Sequence, residues 1–190
     1  MESGVLVRRA SPEDVRAIAR VHVQSWKETY RGVMSDAVLD DPALLGQREY
    51  FWTAALTDPL YAGNRIAIAE LEGAVVGVAM AGPALDRFSG VAEQLYLLYT
   101  LSEVHGRGGG AALLEAVLDP DVSTGLWVAD PNPRAQAFYR RHGFIAGDAK
   151  IEDGVREVWM TRQRAAAAPT ERWRVGADVD QVLREAEKIT

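Results

Sequence analysis

A run of glycines, Gly106–Gly110, is the segment of this sequence with the clearest chemical potential. It has four glycines in five positions and stands between a strand-like and a helix-like pattern. Glycine has no Cβ, so its backbone can approach an anion closely, and a helix start offers unpaired N–H groups at the positive end of a dipole. Each glycine at a helical position lowers the stability of the helix by up to about 1 kcal/mol. A function for the run would explain why the sequence carries this cost. The run predicts a pyrophosphate site, with a merely flexible loop as the alternative.

Two kinds of nucleotide site compete for this run. A P-loop needs Gly-Lys-Ser/Thr at its end, and the sequence has no such tripeptide. The dinucleotide fingerprint Gly-x-Gly-x-x-Ala is matched by Gly106, Gly108 and Ala111, and Asp130 follows near the expected distance. However, four candidate strands precede the run, and too little chain follows Asp130 for the remaining strand–helix units of that fold. A nucleotide-dependent oxidoreductase therefore stays as a competing interpretation.

A second segment combines a helix signature with an aromatic pair. Asn132 is a good helix N-cap, Pro133 suits the first helical position, and Gly143 ends the helix. Tyr139 shares one predicted helix face with apolar and aromatic neighbours, and its phenol is neutral at pH 7. The helix face alone predicts a buried aromatic whose hydroxyl is bonded to a partner.

These two segments need a scaffold, and hydrophobic periodicity indicates one. Strand-like runs are Val5–Arg9, Arg65–Glu70, Val75–Ala81, Glu93–Leu101, Leu126–Ala129, a strand beginning at Phe144–Ala146, and Val155–Thr161. Helical runs begin at Ser11 and cover Leu44–Leu56, Ala111–Leu118 and Pro133–His142. Hairpins beside strand–helix–strand units predict an α/β (α+β) fold: a mixed, mostly antiparallel six- to seven-stranded sheet with helices on both faces.

Length and composition limit the class of protein. The 190 residues suit one domain with a full core, and 48% are hydrophobic and 25% charged. The net charge of −6 disfavours nucleic-acid binding and suits a cationic substrate such as an amine. No apolar run approaches the roughly 18 residues that span a bilayer, and no signal-peptide pattern opens the sequence. We therefore expect a cytoplasmic protein without a membrane partner.

Several kinds of catalytic centre are disfavoured by residue content alone. Cysteine is absent, which excludes disulfides, thiolate metal sites and a cysteine nucleophile. His22, His105 and His142 lack ligand-like spacing, so no metal site is expected. A Gly-x-Ser-x-Gly hydrolase elbow is also missing from the sequence.

The two segments resemble the motifs of the GCN5-related N-acetyltransferase (GNAT) family. The family's main motif is a strand followed by Gln/Arg-x-x-Gly-x-Gly/Ala opening a helix, and here it reads His105-Gly106-Arg107-Gly108-Gly109-Gly110. The second motif is a strand, an Asn and a helix ending in Phe-Tyr-x-x-x-Gly-Phe, and here it runs from Trp127 through Asn132 to Phe144. His105 stands where the family has Gln or Arg, and Gly109 where a larger apolar residue is common. The resemblance covers Val5 to about Arg164 and implies an N-acetyltransferase with acetyl-CoA as co-substrate.

The resemblance implies a place for each part of acetyl-CoA between the strands Glu93–Leu101 and Leu126–Ala129. The pantetheine arm pairs with exposed backbone at Leu98, Tyr99 and Thr100. The pyrophosphate sits on the amides of the glycine turn, and Asn132 with the helix after it contacts the cofactor. The implied turn residues are Gly106, Arg107, Gly108, Gly109, Gly110 and Ala111.

Acetyl transfer to an amine also needs proton transfer, and the resemblance implies candidates. Attack requires the free amine, so a general base helps, and the departing thiolate benefits from a proton donor. Tyr139 is the candidate donor. Glu93, at the start of the strand that faces the cofactor, is the candidate base, with a solvated strand-end acid as the alternative. His22 and Glu28 are weaker candidates, and the apolar stripe around His22 favours a core histidine.

The acceptor is left open by the sequence. Small amines, aminoglycosides, polyamines and peptide N-termini all fit, and a non-catalytic acyl-CoA sensor would need the same glycine turn. Trp26, Tyr30, Trp52 and Tyr96 could wall an acceptor pocket, and ordinary core packing is the alternative for each.

The chain is predicted to divide near its end. Residues 1–164 form the predicted acetyltransferase domain, and Ala165–Pro169 form a joint. Within 165–190, one helical face is shared by the side chains of Val179, Val182, Leu183 and Ala186. We expect this helix to dock on its own domain, with docking on the second subunit of a homodimer as the alternative.

Overall fold

The computed structural model describes residues 4–85, 90–152 and 154–163. The strands in that part of the chain are β1 (Leu6–Arg9), β2 (Arg65–Leu71), β3 (Ala74–Pro83), β4 (Glu93–Thr100), β5 (Thr124–Asp130), β6 (Ile145–Glu152) and β7 (Val155–Arg162). The helices are α1 (Val15–Tyr30), α2 (Asp36–Leu39), α3 (Leu44–Thr57), α4 (Gly109–Val117) and α5 (Pro133–Arg141). The predicted strands and long helices are all present, with ends shifted by a few residues. The predicted joint and helix of residues 165–190 lie outside the described residues, so the domain division stays a prediction.

The described strands form one sheet in the order β1-β2-β3-β4-β5-β7-β6. Neighbouring strands are antiparallel except for β4 and β5, which run parallel. This order confirms the predicted mixed, mostly antiparallel sheet. A dinucleotide-binding fold builds its sheet mainly from parallel strands joined by helices. The mostly antiparallel order is incompatible with that fold, so the oxidoreductase interpretation is wrong.

Two hydrophobic cores lie on opposite faces of the sheet. On the face covered by α4 and α5, here the α4 face, the core includes Leu113 and Met160. On the face covered by α1 and α3, here the α1 face, it includes Trp52. Because strand side chains alternate, the neighbours Val78 and Ala79 of β3 belong to the α1 and α4 cores respectively. Helices on both faces of the sheet were expected from the sequence.

The start of α1 is fixed to β1 by an ion pair. The Asp14 carboxylate accepts hydrogen bonds from the backbone N–H of Ser11 and from both terminal nitrogens of Arg8, each at 2.8 Å. Pro12 opens the short 3-10 turn that leads into α1. The hydrogen bonds from Arg8 and Ser11 lower the pKa of Asp14 to about 2, in spite of its desolvation. The Arg8–Asp14 ion pair therefore joins the start of α1 to the first strand of the sheet.

None of the described helices has the length and apolar character needed to cross a bilayer. The described residues also hold no group of three or more histidine or acidic side chains placed to bind a metal ion. The cytoplasmic location and the metal-free site expected from the sequence stay predictions.

Candidate functional site

The sheet opens between its two parallel strands. β4 and β5 pair only where Glu93–Leu95 lie beside Thr124–Leu126. Beyond that point β4 stays paired with β3 as far as Thr100, and β5 stays paired with β7 as far as Asp130. The opening between Tyr96–Thr100 and Trp127–Asp130 is termed the β4–β5 cleft. In open sheets, ligands bind beyond the carboxyl ends of strands at such a divergence.

The backbone of β4 presents two residues to this cleft. The N–H of Leu101 donates to the carbonyl of Val76 in β3 at 2.9 Å. Because backbone direction alternates in an antiparallel pair, Tyr99 also turns its N–H and C=O to β3, while Leu98 and Thr100 turn theirs to the cleft. Of the three residues predicted to pair with pantetheine through their backbone, Leu98 and Thr100 therefore remain candidates, and Tyr99 does not.

The side chain of His105 already reaches one of these cleft-facing groups. Its Nε2 lies 3.2 Å from the carbonyl oxygen of Thr100. Burial and the nearby Arg134 guanidinium lower the pKa of His105, although the Thr100 carbonyl and the Glu28 carboxylate act in the opposite sense. His105 thus lies between the end of β4 and the start of α5, where the family motif carries Gln or Arg.

The glycine turn leaves a set of backbone N–H groups without protein partners. Gly106 and Gly108 have φ of +78° and +81°, and the first helical bond of α4 runs from Ala112 N–H to the Gly108 carbonyl at 3.0 Å. Within the described residues, no acceptor is found for the N–H groups of Gly106, Gly108, Gly109, Gly110 and Ala111, which together are termed the amide cradle. The N–H of Arg107 differs, because it donates to the Val104 carbonyl at 3.3 Å. Unpaired N–H groups at a helix start form an anion site.

Each glycine of the turn has its own structural reason. At Gly106 and Gly108 a Cβ would meet only open space, but the positive φ disfavours any side chain. A Cβ at Gly109 would lie 3.1 Å from Cγ1 of Val5. Val5 therefore fills the space that a larger apolar side chain would take at this position. A Cβ at Gly110 would lie 3.5 Å from Phe138, which is ordinary contact. The cradle therefore depends on conformation at two glycines and on packing at a third.

The helix α5 has the ends that the sequence predicts. The Oδ1 of Asn132 accepts from the N–H of Ala135 at 3.1 Å, and Pro133 follows it at the first helical position. Gly143 ends the helix with φ of +85°. The capping bond uses the oxygen of the Asn132 side chain and leaves its amide nitrogen for a ligand.

Three phenols come together around the β4–β5 cleft. Tyr139 of α5 is buried, and burial together with the neighbouring Tyr99 phenol raises its pKa well above the ordinary value. Burial likewise raises the pKa of Tyr99, whose hydroxyl accepts from Nε1 of Trp26 at 2.9 Å. Burial also raises the pKa of Tyr30 in α1, and the phenols of Tyr99 and Tyr139 add to this effect. All three groups stay protonated at neutral pH and can donate hydrogen bonds or protons.

Glu93 lies at the closed end of the cleft rather than in it. It is 4% exposed and forms an ion pair with Arg65. Its Oε1 also accepts from the Thr124 hydroxyl at 3.2 Å and from the Asp119 N–H at 3.4 Å. These bonds join β4 to β5 and β2 where the parallel strands are still paired. We therefore assign Glu93 a structural part and no proton transfer.

The other two candidate bases are also engaged elsewhere. His22 is buried, its Nδ1 accepts from Nε1 of Trp52 at 3.2 Å, and burial lowers its pKa to about 3. It is a neutral core histidine, as its apolar stripe indicates. Glu28 accepts from the N–H of Ser102 at 2.9 Å and from the Gln24 side chain at 2.9 Å. Glu28 thus ties α1 to the end of β4.

The four aromatic residues predicted for an acceptor pocket divide into two groups. Trp52 is fully buried core, and Tyr96 donates its hydroxyl to the Pro83 carbonyl. Trp26 and Tyr30 are half-buried on α1, with ring centroids 6.3 Å apart. Only these last two stand beside Tyr99 at the cleft.

One carboxylate at the site has no counterpart in the sequence predictions. Glu157 lies in β7 opposite Ala129 of β5. Its charge contributes to the raised pKa values of Tyr30 and Tyr99, which places it within electrostatic reach of both phenols. A single acidic residue within a predicted strand gives little signal by itself, because only the pairing of β7 with β5 brings it to the cleft.

A sheet that parts between two parallel strands, with a glycine turn opening a helix at the end of the gap, defines an acyl-CoA N-acyltransferase. The Acetyltransferase (GNAT) domain model matches residues 62–146, and the chain belongs to the GNAT family. The N-acetyltransferase YuaI of Bacillus subtilis (strain 168), itself uncharacterized, is 32% identical over 136 residues, 68% of this chain and 74% of the relative.

Solved structures with low sequence identity show the same fold. The PaiA N-acetyltransferase of Thermoplasma acidophilum, in complex with coenzyme A, has a TM-score of 0.64 at 19% identity and covers 84% of this chain and 99% of its own. The structure of YncA from Salmonella typhimurium, with its cofactor acetyl-CoA, has a TM-score of 0.62 at 18% identity and covers 89% and 99%.

Proposed function

We propose that this GNAT protein transfers the acetyl group of acetyl-CoA to a primary amine by direct attack of the amine on the thioester. The observation that carries the proposal is the β4–β5 cleft, which ends on the amide cradle at the start of α4. Two proteins of the same fold support it, because PaiA was solved with coenzyme A and YncA with acetyl-CoA.

The residues of the cleft fit the parts of acetyl-CoA. The amide cradle suits the pyrophosphate, with Arg107 in the same turn and Arg134 of α5 near the preceding residue, His105. The cleft-facing backbone of Leu98 and Thr100 suits the amide groups of pantetheine, as a strand suits an added strand. The amide nitrogen of Asn132 offers one further donor at the start of α5.

Proton transfer at the thioester falls to Tyr139 in this proposal. An alkylamine with a pKa of about 10 is mostly an ammonium ion at pH 7 and has to lose a proton before attack. The thiolate that departs needs a proton in return. Tyr139 is buried beside the cleft with its pKa raised, so its phenol is protonated and can give that proton to sulfur.

The proposal is tested by binding and by turnover. A saturating amount of acetyl-CoA, at about 100 times its Kd, should stabilise the fold by about 2.7 kcal/mol, and NAD should not. Release of free CoA should then accelerate with a member of a primary-amine panel that contains small amines, polyamines, aminoglycosides and short peptides. Binding without any CoA release would favour the non-catalytic sensor, and absence of binding would contradict both.

A further inference from the structure

We propose that Glu157 receives the ammonium group of the acceptor and takes its first proton, so that the acceptor is an alkylammonium compound. This inference rests on the proposed acetyl transfer. It starts from the placement of Glu157 at the β4–β5 cleft, whereas Glu93 and His22 are buried in contacts of their own and Glu28 is bonded to Ser102 and Gln24.

The acceptor has to reach the cleft from the α1 face. On the α4 face the cleft is lined by the core, with Leu98, Phe138 and Tyr139 packed together. Val158 and Met160 of β7 also point into that core, so the alternating residues Glu157 and Trp159 point to the opposite face. There α1 packs mainly on β3 and β4, which leaves the β5–β7 part of the sheet beside it.

The geometry of the sheet brings the Glu157 carboxylate towards the cleft. Its partner in β5 is Ala129, whose small side chain lies between Glu157 and the cleft. The side chain of Glu157 is 28% exposed, so a solute can reach it from the α1 face. Its negative charge raises the pKa of Tyr30 and of Tyr99, which are the two phenols on that face.

An ammonium group already lies at this place in the protein. Nζ of Lys150 in β6 is 3.6 Å from Oε2 of Glu157 and 4.4 Å from the centre of a Trp127 ring. A carboxylate beside an indole face is a favourable environment for an alkylammonium ion. The Lys150 ammonium shows that the Glu157 carboxylate attracts an alkylammonium group at this position.

The charged and titratable groups that face Glu157 come from each element around it. They are Lys150 on β6, Tyr30 on α1 and Tyr99 on β4, and Tyr99 is in turn within electrostatic reach of Tyr139 of α5 and Arg48 of α3. The three phenols are neutral at working pH because their pKa values are raised. Glu157 is the carboxylate of this group and therefore its candidate for accepting a proton from an ammonium ion.

The proton balance of the transfer closes with these residues. The ammonium nitrogen gives its first proton to Glu157, which later passes it to solvent. The new C–N bond forms and the C–S bond breaks, and the sulfur takes the proton of Tyr139. The nitrogen then gives up its second proton, which restores the Tyr139 phenol. The products are an N-acetyl amine, free CoA and one proton in solution.

The experiment compares wild type with Glu157→Gln across a pH range, using the fastest amine of the panel. At pH 7 the substitution should lower kcat/KM for the amine roughly 100-fold, because a general base is lost. Near pH 10, where much of the amine is already deprotonated in solution, the difference should shrink to about threefold. The KM for acetyl-CoA should stay within about twofold of wild type, because Glu157 does not face the amide cradle.

Asp148→Asn supplies the matched control, because Asp148 is an exposed acid in the same β6–β7 hairpin and loses the same charge. It should behave as wild type at every pH. An equal loss of rate for Glu157→Gln at all pH values would indicate structural damage and overturn the proposal, as would no loss at all. If the wild-type protein transfers acetyl to no amine, the proposed acetyltransferase function is wrong. If it does, but Glu157→Gln behaves as wild type, only the role of Glu157 is wrong.

Discussion

The two ends of β4 satisfy their polar groups in opposite ways. At the closed end, the Glu93 carboxylate is buried and bonded to Arg65, Thr124 and the Asp119 backbone. At the open end, the N–H and C=O of Leu98 and the N–H of Thr100 face a gap in the sheet, while the Thr100 carbonyl is bonded to the His105 side chain. Buried polar groups are normally paired, so unpaired ones in a folded protein mark a place for a ligand. The same strand is therefore anchored to its neighbours at one end and offers backbone groups to a ligand at the other.

Removal of the cation at the closed end should have the largest effect on stability. Arg65→Met leaves the 5%-exposed Glu93 carboxylate without its partner, and breaking such a pair costs about 3 kcal/mol of unfolding free energy. Denaturant unfolding of both proteins measures the difference. Arg156→Met is the control, because its partner Asp130 has a side chain that is 32% exposed, and the loss should stay below about 1 kcal/mol. Equal losses for the two variants would mean that burial does not distinguish these pairs.

At the open end, removal of one hydroxyl should affect chemistry rather than binding. Tyr139→Phe should lower kcat roughly 100-fold and leave the Kd of acetyl-CoA unchanged, because the donor acts only on the departing thiolate. Since the folded pKa of Tyr139 is raised above its ordinary value, the donor stays protonated as pH rises to about 9 and causes no loss of rate there. Steady-state kinetics and calorimetry measure both quantities. The exposed Tyr50 offers a control in Tyr50→Phe, and wild-type turnover in Tyr139→Phe would remove the assignment.

Two glycines with the same backbone conformation allow the effect of backbone strain on stability to be distinguished from an effect on acetyl-CoA binding. Gly108 and Gly73 both have φ of +81° and open space where a Cβ would stand. Gly108→Ala and Gly73→Ala should therefore each lose about 1 kcal/mol of stability. Only Gly108→Ala should also weaken acetyl-CoA binding, about tenfold, because it shifts N–H groups of the amide cradle. Similar affinities for the two variants, measured by calorimetry, would argue against a phosphate site at the cradle.

The smallest effect is expected at the ion pair that holds α1 to β1. The pKa of Asp14 is lowered to about 2, so its stabilising effect is complete above the ordinary carboxyl value and is lost as pH falls through about 2. Asp14→Asn should cost about 1 kcal/mol at pH 7, and this cost should decline below pH 4 and disappear as pH falls below about 2. Thermal unfolding at several pH values tests this, with Glu13→Gln in the same turn as the control. A cost that does not change with pH would exclude the ion pair as its cause.

Local patterns predicted the elements because their signals are short-range. Asn132, Pro133 and Gly143 mark the ends of α5 through capping rules that depend on neighbours in the chain, and the structure agrees. The glycine turn was also recognisable, because positive φ and unpaired N–H groups follow from residue type and position.

The charged residues of the site depend instead on partners far apart in the chain. Glu93 looked accessible at the start of its strand, but Arg65 from β2 and Thr124 from β5 enclose it. Glu157 reaches the cleft only because β7 inserts between β5 and β6 with a register that pairs it with Ala129. Strand order and register of this kind follow from the whole sheet and not from a local pattern.

The contact between Val5 and Gly109 links the segment just before β1 to the cradle. Val5 lies just before β1, yet its side chain fills the space beside the first residue of α4. A protein shortened to begin after Val5 would therefore leave a void below the anion site, and its affinity for acetyl-CoA should decline although every ligand-facing residue is intact. Tags and truncations at this end of the chain belong among the variables of any binding measurement.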